Sequence, residues 1–396
     1  MALKVLYVVE ATIAGVRRHV TQLACGIDRQ RFEATVACPL LRDQAYGDER
    51  FVADLRAAAV AVVPLALHRA IHPSSDAAAL KYLTQHIQSH HYDVVHAHSS
   101  KAGFLARLAA RLAHQPGTVY TPHGLYFLGL RSVAQRRFYL TLEQFAARLT
   151  DRIVAVSPGE RDVLLRYHIG TPEQIVCIAN GIPPAHLPHD YDRAAQRQAL
   201  GQEADGLLIG SVARLSAQKN PFMFVEAAAR VLRHLPNARF VWCGGGELAA
   251  AAQQRAADLD IAHAIRWLGH REDAMDVLAA FDLFWLCSTY EGAPYVLLEA
   301  MAQRVPIVAT DVVGNRDLLR EGAGLLVPLG DVVALCRATI MLAQQPERRA
   351  ALAEAGWRWF TENGTVERMI AQTEQLYLGL ATRRSGVQSN VAALHL

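Results

Sequence analysis

Two glutamates eight residues apart, Glu291 and Glu299, lie in the stretch Tyr290-Glu291-Gly292-Ala293-Pro294-Tyr295-Val296-Leu297-Leu298-Glu299, just after the apolar run at 283–286. Gly292 permits a tight backbone, and Pro294 suits the first turn of a helix. The free N–H groups of that first turn would form an anion site fitted to a diphosphate. Glu291 then precedes the helix, and Glu299 stands about one and a half turns inside it. So spaced, the two would not form a close pair, but they could bind separate hydroxyls of an extended ligand. The same spacing fits an N-capping glutamate and a solvated one on an ordinary helix.

A cationic pair appears in Val212-Ala213-Arg214-Leu215-Ser216-Ala217-Gln218-Lys219-Asn220, between a strand and a helix. The Arg214 guanidinium is a bidentate fork and the Lys219 ammonium a flexible point charge, a combination suited to pyrophosphate oxygens. Two solvated surface cations would look the same. Thr121-Pro122-His123-Gly124 places a histidine at a strand end, where it could project into a cleft or serve as a satisfied structural residue. Gly15, at the start of the first helix, would let a ligand approach the backbone. His96 and His98 alternate onto one strand face and could bind a metal, but no third ligand is evident in the sequence.

Several readings are excluded. Cys243-Gly244-Gly245-Gly246-Glu247 follows a strand but is neither G-x-G-x-x-G nor a P-loop, so it is read as a turn beside a donor. Asp190-Tyr191-Asp192 and Asp258-Leu259-Asp260 lack the strand-end context of a metal-binding Asp-x-Asp and are read as solvated carboxylates. The six cysteines are scattered without a Cys-x-x-Cys pair, which fits a reducing compartment and no zinc site. The longest apolar candidate span, 57–67, is too short to cross a bilayer and contains Pro64. The expectation is a soluble, cytoplasmic protein. Net charge is +3, too weak for nucleic acid. Residues 1–190 hold 20 basic and 15 acidic side chains, a bias that permits a phosphate-bearing or membrane-surface partner for this half. The stretch from Gly129 to Leu140 mixes cations with apolar residues and could touch lipid headgroups, or could be a solvated helix.

A chain of 396 residues exceeds the roughly 250–300 that one core supports. Short β-branched runs alternate with amphipathic stretches, the pattern of parallel α/β sheets. Strands are expected at 4–9, 34–38, 60–64, 93–97, 119–121, 152–156 and 175–178. A second set is expected at 207–212, 239–243, 265–268, 283–286, 307–309 and 324–327. Lys101 to Ala113 reads as a helix. Asn180-Gly181-Ile182-Pro183-Pro184 suits a hinge, and the segment to about Gly206 reads as a linker. The expected organisation is a first Rossmann-like domain over 1–182, a linker over 183–206 and a second such domain over 207–356. A C-terminal helix over 357–396 would pack back on the first domain, with a frayed tail from Thr382. Two doubly wound domains facing each other across a cleft would gather these loops at the carboxyl ends of their strands.

The ordered set of motifs resembles glycosyltransferase family 4, the retaining enzymes of GT-B fold. It comprises the Gly15 loop, His123-Gly124, Ala155-Val156-Ser157, Asn180-Gly181-Ile182, Gly210 through Lys219-Asn220, Gly244-Gly245-Gly246-Glu247, and Glu291 to Glu299 as E-x7-E. The resemblance runs to about residue 345. His96-Ala97-His98-Ser99-Ser100-Lys101-Ala102-Gly103 is similar to the bacterial members that build exopolysaccharides and other surface glycans.

The resemblance implies that Arg214 and Lys219 hold the donor diphosphate and Glu299 the ribose. Glu291 would contact the transferred sugar with the Ala293, Pro294 and Tyr295 backbone, and His123 would lie near the reacting carbon. Gly15 and Gly245 would border the donor, although the family's usual glycine pair is here Ala14-Gly15. His98, Ser99 and Lys101 are acceptor-side candidates. The implied donor is a nucleotide-diphosphate sugar, with UDP commoner than GDP in the family. The implied acceptor is a glycan or a polyprenyl-diphosphate-linked sugar at the inner membrane surface, with no metal or cofactor required. A nucleotide-sugar 2-epimerase and a non-catalytic donor-binding subunit share this architecture and stay open as alternatives.

Overall fold

The computed structural model describes residues 2–12, 14–40, 49–68, 71–115, 117–130, 132–184, 191–202 and 206–384. The chain divides into two compact units. One comprises Met1–Asn180 with the segment from Val366, and the other Gly181–Thr365.

The first unit is built on seven strands: β1 (Leu3–Val9), β2 (Phe32–Cys38), β3 (Ala61–Pro64), β4 (Val94–His98), β5 (Thr118–Thr121), β6 (Arg152–Ala155) and β7 (Ile175–Cys177). They pair in the order β3-β2-β1-β4-β5-β6-β7, all parallel. Parallel neighbours need crossover connections, so helices cover both faces and the central strands become continuous apolar runs. Val5 through Val9 are all fully buried. Residues of β1 alternate between two cores, Leu6 and Val8 on one face and Val5, Tyr7 and Val9 on the other.

The second unit repeats the design with β8 (Leu208–Val212), β9 (Arg239–Cys243), β10 (Ile265–Gly269), β11 (Leu283–Leu286), β12 (Ile307–Thr310) and β13 (Leu325–Val327). Their order is β10-β9-β8-β11-β12-β13, again all parallel. Each sheet has a point where the strand order reverses, β1/β4 in the first and β8/β11 in the second. In open α/β sheets, the loops after these strands are where ligands bind.

All thirteen expected strands form, with ends shifted by one or two residues. Three expectations are corrected. The segment read as a linker contains the helix Arg193–Ala199, capped by Asp192, whose side chain accepts from the Ala194 and Ala195 amides. Asp192 is thus a cap, whereas Asp190 lies outside the described residues. Arg197 is buried and anchors the helix to Asp282 Oδ2 at 2.6 Å and to the Gly206 carbonyl at 2.7 Å. The last helical region is two helices, Pro346–Asn363 and Val366–Arg384, broken at Gly364. Thr382 lies inside the second of these rather than in a frayed tail, its hydroxyl donating to the Leu378 carbonyl at 3.1 Å.

The helix Val366–Arg384 belongs to the first unit. It packs against the helix Ala14–Gly26, with the tip of Ile370 2.4 Å from where a Cβ on Gly26 would lie. Glu374 accepts from the Asp28 amide at 2.7 Å. Tyr377 is wholly buried, its hydroxyl 2.5 Å from Nδ1 of His96. Removing that hydroxyl strands a buried imidazole nitrogen. Tyr377→Phe is therefore expected to destabilise the first unit by about 1–3 kcal/mol, read from denaturant unfolding curves.

Candidate active site

In the second unit the loop after β8 is laced to the loop after β9. The Ala213 amide donates to the Cys243 carbonyl at 2.9 Å, Leu215 to Gly245 at 2.8 Å, and Leu248 to Leu215 at 2.9 Å. The approach is so close that a Cβ on Gly244, which has φ +136°, would lie 2.0 Å from the Ala213 oxygen. Gly245 faces open space, with nothing within 4 Å of the position a Cβ would take. Arg214 sits between two residues held by this lacing. Its side chain is exposed and makes no hydrogen bond or ion pair among the described residues.

The same loop reaches across the switch point to the loop after β11. Gln218 accepts from the Thr289 amide at 2.8 Å, and its side chain donates to the Tyr290 carbonyl at 3.1 Å. Lys219 and Glu291 form an ion pair, with side chains only 16% and 7% exposed. Ser288 donates a second hydrogen bond to the Glu291 carboxylate at 2.6 Å. The backbone beneath is fixed by Thr310, whose hydroxyl donates to the Ser288 carbonyl at 2.5 Å. It is also fixed by Gly314, whose amide donates to the Glu291 carbonyl at 3.2 Å. Only glycine fits at 314, because a Cβ would lie 2.3 Å from the Gly292 oxygen.

The helix after this loop is Tyr295–Ala302, with Pro294 in extended conformation at its N-cap and not in its first turn. Proline ψ near 120° turns the chain into the helix, so Tyr295 is the first helical residue. Glu299 lies inside the helix, partly buried. The structure thus joins Lys219 directly to Glu291, which the sequence had placed in separate roles. Arg214 has no part in that contact.

In the first unit the corresponding loops gather histidines. His19 comes from the first helix, His96 and His98 from β4, and His123 from the turn after β5. His123 and Gly124 both have positive φ, +57° and +96°. This left-handed pair is stabilised by Glu160, whose carboxylate accepts from the Gly124 amide at 2.7 Å and the Val156 amide at 2.8 Å. Ser157 caps the helix Pro158–Arg166 by accepting from the Glu160 amide at 3.1 Å. His98 Nδ1 lies 3.0 Å from His123 Nε2, with the rings stacked, and the His19 ring meets His123 edge-on at 4.5 Å. Nδ1 of His19 is 3.1 Å from the Asn180 side-chain oxygen, which requires that nitrogen to carry the proton.

His96 does not share this site. It is held by Tyr377 and, at 2.8 Å, by the Thr121 hydroxyl. The third partner missing from the sequence reading is His19. Ligand nitrogens of His19, His98 and His123 lie within 4.8 Å of one another, a grouping able to hold a transition metal. Burial lowers the pKa of His19 to about 4, against the bond to Asn180 that favours its protonated form. Burial, and then the neighbouring imidazoles, hold His96, His98 and His123 well below 6.5. All four are neutral at pH 7.

The remaining candidates fall nearby. Ser99 has φ +65°, and its hydroxyl is buried without a hydrogen-bond partner. Lys101 is engaged by Asp76 at 2.7 Å and by the His68 carbonyl at 2.7 Å. Gly15 lies in the first turn of the helix Ala14–Gly26. Sequence reasoning missed His19, Asn180, Glu160 and Tyr377. For Glu160 a signal existed, the capping-box pattern Ser157-x-x-Glu160. For the others, no spacing could reveal it.

Two parallel sheets with functional loops at their switch points define a glycosyltransferase-like GT-B architecture. Solved structures bear this out. Anabaena HepE in complex with UDP-glucose has a TM-score of 0.78 at 21% identity, covering 96% of this chain and all of that one. WaaG, a glycosyltransferase involved in lipopolysaccharide biosynthesis, has a TM-score of 0.68 at 17% identity, covering 98% of this chain and all of that one. The family model for glycosyltransferase family 4 matches residues 13–186, and that for glycosyl transferases group 1 matches 192–359. An Escherichia coli protein, UDP-Gal:alpha-D-GlcNAc-diphosphoundecaprenol alpha-1,3-galactosyltransferase, is 32% identical over 270 residues, 67% of this chain and 70% of that one. EpsD of Bacillus subtilis is 29% identical over 320 residues, 78% and 83% of the two chains. The chain belongs to the family 4 glycosyltransferases.

Two expectations follow from this geometry. Lys219 and Glu291 are partly buried, so removing one partner leaves the other charge unanswered at a cost of about 1–3 kcal/mol, whereas removing both is milder. Lys219→Met and Glu291→Gln should each lower stability sharply, and the double variant should regain most of the loss in a double-mutant cycle. The histidines give a pH dependence. Their folded pKa values lie below the unfolded one, so the unfolded chain takes up protons first as pH falls. Stability contributed by their neutral burial is complete above about pH 6.5 and is lost below it toward pH 4. Urea unfolding at pH 7.5 and 5.0 should show the loss, and His98→Gln should reduce it.

Proposed function

We propose that the protein is a retaining glycosyltransferase that moves a sugar from a UDP-sugar to a polyprenyl-diphosphate-linked or glycan acceptor in surface polysaccharide synthesis. It would act at the cytoplasmic face of the inner membrane and need no metal. The observation that carries this reading is the Lys219–Glu291 pair at the carboxyl ends of β8 and β11, on the same loop as an exposed Arg214.

The Arg214 fork and the Lys219 ammonium hold the donor diphosphate and stabilise the charge that grows on it as the glycosidic bond breaks. Pairing with Lys219 and Ser288 holds the Glu291 carboxylate in place to meet sugar hydroxyls. Glu299 binds the ribose, and His123 contacts the sugar near the reacting carbon. The bond from the anomeric carbon to the phosphate oxygen breaks, the acceptor oxygen bonds to that carbon, and the acceptor proton passes to the departing phosphate. A neutral imidazole suits this role, because His123 then places no positive charge beside the carbon where positive charge develops.

The names of the relatives support the donor and acceptor classes. The E. coli protein is named for a UDP-galactose donor and a diphosphoundecaprenol-linked acceptor, and HepE was solved with UDP-glucose.

The test uses purified protein, UDP-sugars and GDP-mannose, and a polyprenyl-diphosphate-linked sugar, with product stereochemistry read by NMR. Retention at the anomeric carbon and unchanged turnover in EDTA are expected. Arg214→Ala should lower kcat about 100-fold, the scale of losing one charged transition-state donor, and Glu299→Ala should raise KM for the donor. Full activity in both variants would remove the assigned donor site. Epimerised donor without an acceptor would replace transfer by isomerisation.

A further inference from the structure

We propose that the outer face of the helix Val133–Ala147, with the preceding turn Tyr126–Gly129, docks on an anionic bilayer surface. The inference rests on the reading of the acceptor as lipid-linked and adds the surface that brings the enzyme to it.

Of the thirteen large apolar residues exposed among the described residues, five fall between 126 and 145: Tyr126, Leu128, Val133, Phe138 and Phe145. Val133 is 70% exposed and the other four about half exposed. A cluster of this kind on a polar surface marks an interaction site, where single exposed apolar residues do not. The cluster is contiguous in part, because the Tyr126 ring meets Tyr139 at 5.1 Å and Tyr139 meets Phe138 at 5.4 Å.

The charge on the helix matches the apolar face. Arg137 and Arg148 are exposed, and helical spacing at 133, 137, 138, 141, 145 and 148 puts them on the arc that carries Val133, Phe138 and Phe145. The one acid between 125 and 150, Glu143, is buried on the opposite side and paired with Arg107. The next acid in the chain, Asp151, is engaged by the Gly117 and Thr118 amides. Between 133 and 148 the exposed arc is therefore apolar and cationic. That is the signature of a helix lying in the headgroup layer, its aromatic rings in the acyl boundary and its arginines on phosphate. The turn Tyr126–Gly129 begins three residues after His123 in the same chain, so a bilayer holding this face also holds the loop that carries the site histidine. No helix among the described residues is long and apolar enough to cross a membrane, so attachment by this face would be peripheral.

Vesicle co-sedimentation tests the proposal without any turnover. The full-length protein should partition onto vesicles containing phosphatidylglycerol and little onto pure phosphatidylcholine, and high salt should release it. Arg137→Glu with Arg148→Glu should weaken partitioning by at least about five-fold per arginine removed. Val133→Glu with Phe138→Glu should abolish it, with an unchanged circular-dichroism spectrum and melting midpoint to show that the fold is kept. The proposal is overturned if the wild type ignores anionic vesicles or if these variants partition like it. It is equally overturned if the wild type is a dimer in solution that Val133→Glu/Phe138→Glu converts to monomer while vesicles are ignored, since a second copy would then own the face. Transfer to a short soluble acceptor reports separately on the transferase. Activity there without vesicle binding would leave the catalytic reading intact and remove only the docking surface.

Discussion

A carboxylate with only a few per cent of its surface in water must be answered by a cation or by hydrogen-bond donors, because leaving it unpaired costs several kcal/mol. Glu291 is answered by Lys219 and Ser288, and much of the second unit serves that arrangement. Lys219 comes from the loop after β8 and Glu291 from the loop after β11, so the pair stitches the sheet's switch point shut. Each loop is held rigid from behind, one by lacing to the glycines after β9 and the other by Thr310 and Gly314. The small residues at 244 and 314 allow backbones to approach to distances no Cβ tolerates. Arg214 stays uncommitted because its neighbours, not its own side chain, are what the lacing holds.

The first unit handles a buried carboxylate differently. Glu160 is met by the amides of Gly124 and Val156, so it imposes a backbone conformation and not a charge partner. The left-handed φ of His123 is costly for a residue with a Cβ, and the carboxylate on the next amide holds it in place. His123 then stacks on His98 and under His19 in a site that burial keeps neutral. Asn180, the last residue of this unit's first segment, is fastened to the same cluster through His19. The hinge sequence therefore starts from a fixed point.

The strands were legible because a sheet covered on both faces demands unbroken apolar runs, and alternating such runs with amphipathic stretches admits one architecture. The helix Arg193–Ala199 was not legible, because it is short and polar and is stabilised by Arg197 reaching Asp282, 85 positions away. His19 was equally hidden. On its helix it is one more polar residue, and only the parallel order of β1, β4 and β5 brings it beside His98, His123 and Asn180. The loops carrying Arg214, Lys219, Glu291 and His123 could be named from sequence as strand-end segments. That Lys219 and Glu291 neutralise each other could not, since 72 residues separate them and neither carries a mark of its partner.

The helix Val133–Ala147 shows how an inner face dictates an outer one. Arg107 is fully buried and stacks its guanidinium over the Tyr120 ring at 3.7 Å, donating to Glu143 at 2.8 Å. The Tyr120 hydroxyl donates to the other Glu143 oxygen at 2.9 Å, so both oxygens are occupied inside the unit. Tyr120 can lie there only because Gly103 has no Cβ, which would come 2.4 Å from the ring. The orientation of the helix is thus set by its single acid, drawn inward by a cation from the preceding helix. Rotation by half a turn would expose Glu143 and strand Arg107 unpaired in the core, a loss of several kcal/mol. What remains for solvent is the arc of Val133, Arg137, Phe138, Phe145 and Arg148, apolar and cationic because the core has claimed the only carboxylate.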